Sequence, residues 1–278
     1  MTRRLDARLA AAVAAAGALA VLARHLRRRV PHLALRRELA AAHHLSHAYK
    51  LDDLVWNHIS ARIDDSSKFY ITSGTELFDE VTPESLVEST AENANITADV
   101  IHSAIYNARP DVGAIVHHHS PSVVAVSMLP EGLRFLQQDS AGFVDKVAYH
   151  NWEGVANDYD ERASIAADLG PSAHTLIMRN HGACTVGRTV GEAWVRYFYL
   201  ERCCRYQMAV LNAPSLVEPD AAVLAHAAAG WAQDSTSCHG HMEWTALTRQ
   251  AERLQAHAAL ERLIGRAHRV VAVLLDLG

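Results

Sequence analysis

Three histidines, His117, His119 and His181, have the residue type and the spacing to hold a divalent cation with one coordination position left open. The first two close the apolar run Gly113-Ala114-Ile115-Val116. Side chains two apart on a strand share a face, so both imidazoles can reach one ion while His118 between them points away. The third candidate lies in Met178-Arg179-Asn180-His181-Gly182, at the end of a second apolar run and ahead of a predicted helix start. Three imidazoles with an open position describe a catalytic site better than a structural one, which fills its coordination with protein ligands.

Placing such ligands requires strands held by helices. Val112 to Val116 reads as a buried strand and Thr175 to Met178 as the strand that delivers His181. Val55 to Ile63 alternates as a strand does, Phe69-Tyr70-Ile71 is its hairpin partner, and Thr72-Ser73-Gly74-Thr75 marks a turn. Helical spacing runs over Leu35 to Tyr49, Ala98 to Asn107, Pro121 to Leu129 and Glu161 to Leu169. Thr82-Pro83-Glu84 predicts a short helical segment with proline in its first turn. The long helix from Thr189 to about Leu211 opens on a capping box, with Thr189 capping and Glu192 reaching back. Val217 to Trp231 and Trp244 to Arg266 supply two more amphipathic helices around the polar segment Ser235 to Gly240. The stretch between Leu129 and Glu161 is less regular. The alternation predicts one α/β or α+β domain with a helical C-terminal part.

At 278 residues with 50% apolar content the chain can bury a substantial core. A net charge of -5 argues against nucleic-acid binding. Cys184, Cys203, Cys204 and Cys238 show neither a paired framework nor a C-x-x-C spacing, which fits reduced thiols in a cytoplasm. Leu9 to Ala23 is an uncharged, alanine-rich run flanked by arginines. It is shorter than the roughly 20 apolar residues of a membrane span. An Ala/Arg-rich helix or loose extension over 1–34 is favoured over a signal peptide or membrane-surface anchor. The expected division is that extension, a main domain over 35–255 and a helical tail over 256–278.

Several motifs occur in an informative order. Val116-His117-His118-His119-Ser120-Pro121 and Arg179-Asn180-His181-Gly182 resemble the H-x-H-S-P and N-H-G signatures of the class II aldolase/adducin family. Asn57-His58-Ile59-Ser60-Ala61-Arg62, the run His102 to Val112, Thr189-Val190-Gly191-Glu192-Ala193 and Leu200-Glu201 fit the same order. The resemblance covers about residues 35 to 255. It implies a three-layer α/β fold with a central, mostly antiparallel β-sheet flanked by helices. It also implies a cytoplasmic homotetramer, a small-molecule substrate, and His117, His119 and His181 as ligands of a divalent metal. Zn2+ is the usual ion, with Fe2+ or Mn2+ as alternatives.

The departures from the family pattern bear on activity. The family aldolases carry an acid/base glutamate four residues before the histidine matching His102, where this chain has Ala98. Asp99 lies one residue on, about 100° around a helix. The phosphate-gripping Gly-Asn-x-Ser becomes Asn57-His58-Ile59-Ser60, and the paired serines become Ile96 and Thr97. These features resemble the adducin-like bacterial branch, as does Glu243-Trp244-Thr245-Ala246-Leu247. The expectation is a metal-dependent lyase acting on a C–C bond, by aldol-type chemistry or decarboxylation, in a small oxygenated carboxylate or carbonyl substrate without phosphate. A non-haem Fe(II) oxidative decarboxylase and a non-catalytic adducin-like assembly module are the alternatives.

Each further candidate has a plain structural reading beside the functional one. Asn57, Ser60, Ser73 and Gly74 could line a substrate pocket with backbone donors, or simply build a hairpin turn. His102, Tyr149 and His150 are candidate catalytic residues, with Tyr159 a further contact. His58 and His102 could orient ligands or be core histidines. His118 is expected in packing, Glu192 and Glu201 in capping and helix pairing, and Arg196, Arg202 and Arg205 on a solvated or inter-subunit face.

Overall fold

The structure is a computed structural model describing residues 30–64, 66–90, 95–156, 159–233, 240 and 242–256. The Leu9 to Ala23 run, most of Ser235 to Gly240, Cys238 and the tail from 257 lie outside the described residues. In chain order the elements are α1 (Leu33–Ala48), β1 (His58–Arg62), β2 (Phe69–Ile71), β3 (Val87–Glu88), α2 (Ile96–Ala108), β4 (Ala114–His118) and α3 (Pro121–Ser127). A 3-10 turn (Gln138–Phe143), β5 (Val147–His150), α4 (Glu161–Leu169), β6 (Thr175–Met178), β7 (Gly182–Gly187), α5 (Val190–Ala209) and α6 (Ala221–Gln233) follow. A last helix, α7, occupies 242–256.

The strands form one seven-stranded sheet in the order β3-β2-β1-β4-β7-β6-β5. Its neighbours pair antiparallel except β5 with β6. Each face is covered. Ile59, Ala61, Val116, Ile177 and Ala183 pack with Leu39 and Leu45 of α1 and Trp194 and Tyr197 of α5. Ile115, Leu176 and Val186 pack on the opposite side with Val100, Ile101 and Ile105 of α2 and Ile165 and Leu169 of α4. Period-2 alternation sends successive strand residues to the two layers, giving the expected mixed α/β fold with a mostly antiparallel sheet between helices. No helix among the described residues is long and apolar enough to cross a membrane.

The structure corrects several local expectations. Thr82 opens a single turn and no helix, a turn in which Thr82 and Ser85 bond reciprocally. The Ser85 Oγ accepts from the Thr82 N–H at 3.0 Å, and the Thr82 Oγ1 accepts from the Ser85 N–H at 3.1 Å. The irregular stretch contains β5, a short edge strand paired in parallel with β6 across the α4 connection. Its partner is distant in sequence, so no local hairpin signal announces it. His181 is followed by β7 rather than a helix start. That strand is central and buried throughout, which removes the apolar/polar alternation that would mark it. At α5, Thr189 caps the Glu192 N–H as expected. The Glu192 Oε2 reaches past Thr189 to the Arg188 N–H at 2.6 Å, while its Oε1 accepts from Arg196 at 2.6 Å.

Candidate metal centre

The β1–β4 and β4–β7 registers set His58 opposite His117 and His117 opposite Cys184, so the three share one face of the sheet. His119 lies just past the end of β4. His181 belongs to the three-residue turn Arg179-Asn180-His181 joining β6 to β7, closed by the His181 N–H donating to the Met178 carbonyl at 3.2 Å. Asn180 takes φ 59°, the left-handed conformation asparagine tolerates better than most residues. A Cβ on Gly182 would stand 2.6 Å from the His118 carbonyl oxygen, so the residue after His181 must be glycine for β7 to approach β4. This is the physical content of the Asn-His-Gly run.

These elements bring the three Nε2 atoms together. The His119 Nε2 lies 3.0 Å from that of His117 and 3.0 Å from that of His181. All three ligand atoms fall within 4.8 Å of one another. Tetrahedral ligation at about 2.0–2.1 Å requires nitrogens about 3.3 Å apart, so the set fits one small cation. The other ring nitrogens have orienting partners: His119 Nδ1 meets Asp53 Oδ2 at 3.2 Å and His117 Nδ1 meets Cys184 Sγ at 3.3 Å. Burial pushes the Cys184 thiol well above its ordinary range, which keeps it a protonated neighbour rather than a thiolate ligand. Burial, and then the neighbouring imidazoles, holds His117 well below the usual histidine value and lowers His181 to about 4. Neutral rings are the form that ligation needs.

The histidines open into a cavity of about 350 Å³. His58, Thr97, Ile101 and Asn180 form its inner wall, and the half-exposed Trp56 and Trp152 stand at its rim. Among the described lining residues there is no lysine or arginine, and Asp53 is the single carboxylate.

Behind His58 runs a buried chain. His58 Nδ1 meets His102 Nε2 at 2.7 Å, His102 Nδ1 meets Ser60 Oγ at 2.5 Å, and Ser60 Oγ meets Tyr106 Oη at 2.8 Å. Desolvation drives His102 down to about 3 and His58 well below the usual value, so both rings are neutral.

The other candidates are placed less centrally. His102 and Ser60 are enclosed in this chain and do not line the cavity. Tyr149 sits on β5 beneath the Arg179 guanidinium, its hydroxyl accepting from the Leu133 N–H at 2.9 Å. His150 is held by Asp168 at 2.8 Å and Glu161 at 3.3 Å. Neither joins the cavity wall: Tyr149 is engaged by Leu133 and Arg179, and His150 by the two carboxylates of α4. Ser73 bonds Thr75 at 3.0 Å, and Gly74 (φ 80°) lies against Asn95, the cap of α2. Both are outside the cavity wall, which favours the turn reading for them. Asn57 is buried beside His58 but does not line the cavity, and its side-chain amide has no partner among the described residues. His118 is a packing residue, as expected: its Nε2 is hydrogen-bonded to Ser46 Oγ at 2.9 Å, and its ring stands edge-on to Tyr197. Ala98 contributes only a buried methyl. Asp99 turns away to accept from Ser89 at 2.9 Å and Tyr159 at 3.2 Å.

Sequence reading missed Asp53, Cys184 and the rim tryptophans. Asp53 and Trp56 come from the loop before β1, and Trp152 from the loop after β5. Only the tertiary fold joins those loops, although exposed tryptophans are a usable signal once a surface is known.

Residues 37–208 match the sequence model of the class II aldolase and adducin N-terminal domain. A Pseudomonas aeruginosa protein with the provisional name aldolase class 2 protein is 34% identical over 230 residues, covering 78% of this chain and 88% of its own length. Mouse alpha-adducin is 36% identical over 189 residues, 64% of this chain but 26% of the adducin. The crystal structure of an aldolase II superfamily protein from Pseudomonas syringae superposes with a TM-score of 0.76 at 34% identity, covering 82% of this chain and 97% of that one. The chain therefore belongs to the class II aldolase and adducin N-terminal domain family.

Proposed function

We propose that this protein is a metal-dependent lyase that makes or cleaves a C–C bond in a small oxygenated carboxylate or carbonyl compound lacking phosphate. The observation that carries the reading is the convergence of the His117, His119 and His181 Nε2 atoms on one point in the wall of a cavity. Zn2+ fits three neutral imidazoles best. A bound divalent cation stabilises negative charge developing on a substrate oxygen by several kcal/mol. Asp53 orients His119, and Cys184 orients His117. The described residues of the cavity wall offer no lysine or arginine to a phosphate, and Trp56, Trp152 and Ile101 present apolar surface to the rest of a substrate. We further propose a homotetramer working in the cytoplasm.

Within this class the site favours decarboxylation over retro-aldol cleavage. A retro-aldol step must remove a hydroxyl proton, and the single lining carboxylate is paired with His119. A decarboxylation chiefly needs an electron sink. Release of CO2 from a panel of small 3-oxo and 2-hydroxy carboxylates by the Zn2+-loaded protein, abolished in His181→Ala, is the expected result. Turnover only with Fe2+ and oxygen uptake would move the assignment to an oxidative decarboxylase. Folded oligomer that takes up no metal and turns over nothing would leave the adducin-like assembly role, which the lack of a free carboxylate favours.

A further inference from the structure

The missing family carboxylate leaves the cavity without an obvious group to act on the substrate opposite the cation, and the buried chain behind His58 supplies one. We propose that His58 is a catalytic hydrogen-bond donor, its Nε2–H meeting the substrate oxygen on which negative charge develops. This rests on the lyase reading above and names the group that works beside the cation.

The argument is one of hydrogen-bond polarity. Four buried groups stand in series: Tyr106 Oη, Ser60 Oγ, the His102 ring and the His58 ring. Ser60 Oγ is the one hydrogen-bond partner of the Tyr106 hydroxyl among the described residues. That O–H therefore has an acceptor only if Ser60 accepts from it. The Ser60 hydroxyl then gives its own hydrogen to His102 Nδ1, which fixes the remaining hydrogen of that neutral ring on Nε2. His102 Nε2–H in turn donates to His58 Nδ1, and His58 is left with its hydrogen on Nε2. Either polarity leaves one hydrogen without a partner among the described residues: the opposite one strands it on Tyr106 in the core, and this one brings it to His58 Nε2, on a residue that lines the cavity, where a substrate oxygen can accept it.

The end of the chain is placed for use. His58 is 2% exposed and lines the cavity, yet its buried Nε2 has no hydrogen-bond partner among the described residues. Its ring stacks on that of His117 with centroids 4.7 Å apart and planes 24° from parallel. An in-plane N–H cannot point into the ring it stacks on, and Nδ1 is already turned to His102, so Nε2 lies on the edge of the ring away from His102 while the ring itself is stacked on a ligand. A nitrogen that carries hydrogen is also no ligand, which leaves the cation with three protein ligands and room for substrate. Neutral imidazole serving as electrophile, rather than carboxylate serving as base, fits an oxyanion-forming step.

Long-range 1H–15N correlation spectra of the full chain, 15N-labelled at histidine, read each ring tautomer directly. The expected result is His58 and His102 both carrying hydrogen on Nε2, with and without Zn2+. A bare or metal-shifted His58 Nε2 overturns the proposal. A second probe is acetohydroxamate, a small bidentate anion, titrated into the Zn2+-loaded protein. His58→Phe keeps an aromatic ring for the stack and should leave Zn2+ uptake intact while weakening acetohydroxamate about ten- to hundredfold, the loss of one hydrogen bond to a charged oxygen. Equal affinity for the hydroxamate in both proteins overturns the donor role, and loss of Zn2+ in His58→Phe makes His58 a ligand instead. Failure of the unaltered protein to take up Zn2+ sinks the lyase reading, while the zinc-free spectrum still decides the His58 tautomer.

Discussion

His119 and Asp53 lie 66 residues apart in the chain, yet His119 Nδ1 and Asp53 Oδ2 stand 3.2 Å from one another at the mouth of the cavity. The contact fixes which His119 nitrogen faces inward: the Nδ1–H is spent on the carboxylate, and the Nε2 lone pair is presented to its two partners. Carboxylates in this position raise the basicity of a ligating imidazole and hold its plane.

Asp53→Asn tests that contact. The side chain is about half exposed, so the fold should be unaffected, while Zn2+ affinity falls about 10–100-fold. Competition against a chromophoric chelator measures it, and an unchanged affinity would remove Asp53 from the account.

A second prediction concerns the opposite face of β4. Trp194 Nε1–H donates to Ser46 Oγ at 2.9 Å, and the Ser46 Oγ is hydrogen-bonded to His118 Nε2 at 2.9 Å, all within the core. Ser46→Ala leaves the buried Trp194 N–H and the buried His118 Nε2 unpaired, at a cost of about 1–3 kcal/mol in urea unfolding. Metal affinity should be unchanged, because His118 faces away from the ligands.

Stability should also fall on acidification. His43 is fully buried and lowered to about 4, chiefly by desolvation and against the favourable contact with the Leu39 carbonyl. Its value in the unfolded chain is about 6.5. Below that pH the unfolded state binds a proton that the folded state refuses, so stability is full above about 6.5 and drains away down to about 4. This one group accounts for a loss of about 3 kcal/mol. Urea midpoints followed from neutral pH to about 4.5 should show His43→Leu with a shallower decline than the parent; parallel curves would contradict the assignment.

Much of the site could be read from sequence because its ligands sit at places with strong local grammar. His117 and His119 follow an apolar strand with the period-2 spacing that shares a face, and His181 sits in a turn whose glycine is required by close strand approach. The family resemblance then fixed the layer order. What stayed hidden was set by tertiary contact: β5 and β7 lack alternation because one is an edge and the other is buried on both sides. Tyr149 and His150 looked available only while β5 was read as loop. The polarity of the Tyr106–Ser60–His102–His58 chain needs the β1 and α2 side chains in place before it can be traced at all.

The most direct measurement is the structure of the Zn2+-soaked protein with anomalous diffraction at the zinc edge. The expected result is one ion at full occupancy with the His117, His119 and His181 Nε2 atoms at about 2.0–2.1 Å and no fourth protein ligand. An ion held elsewhere, or no ion among these three rings, would contradict the account.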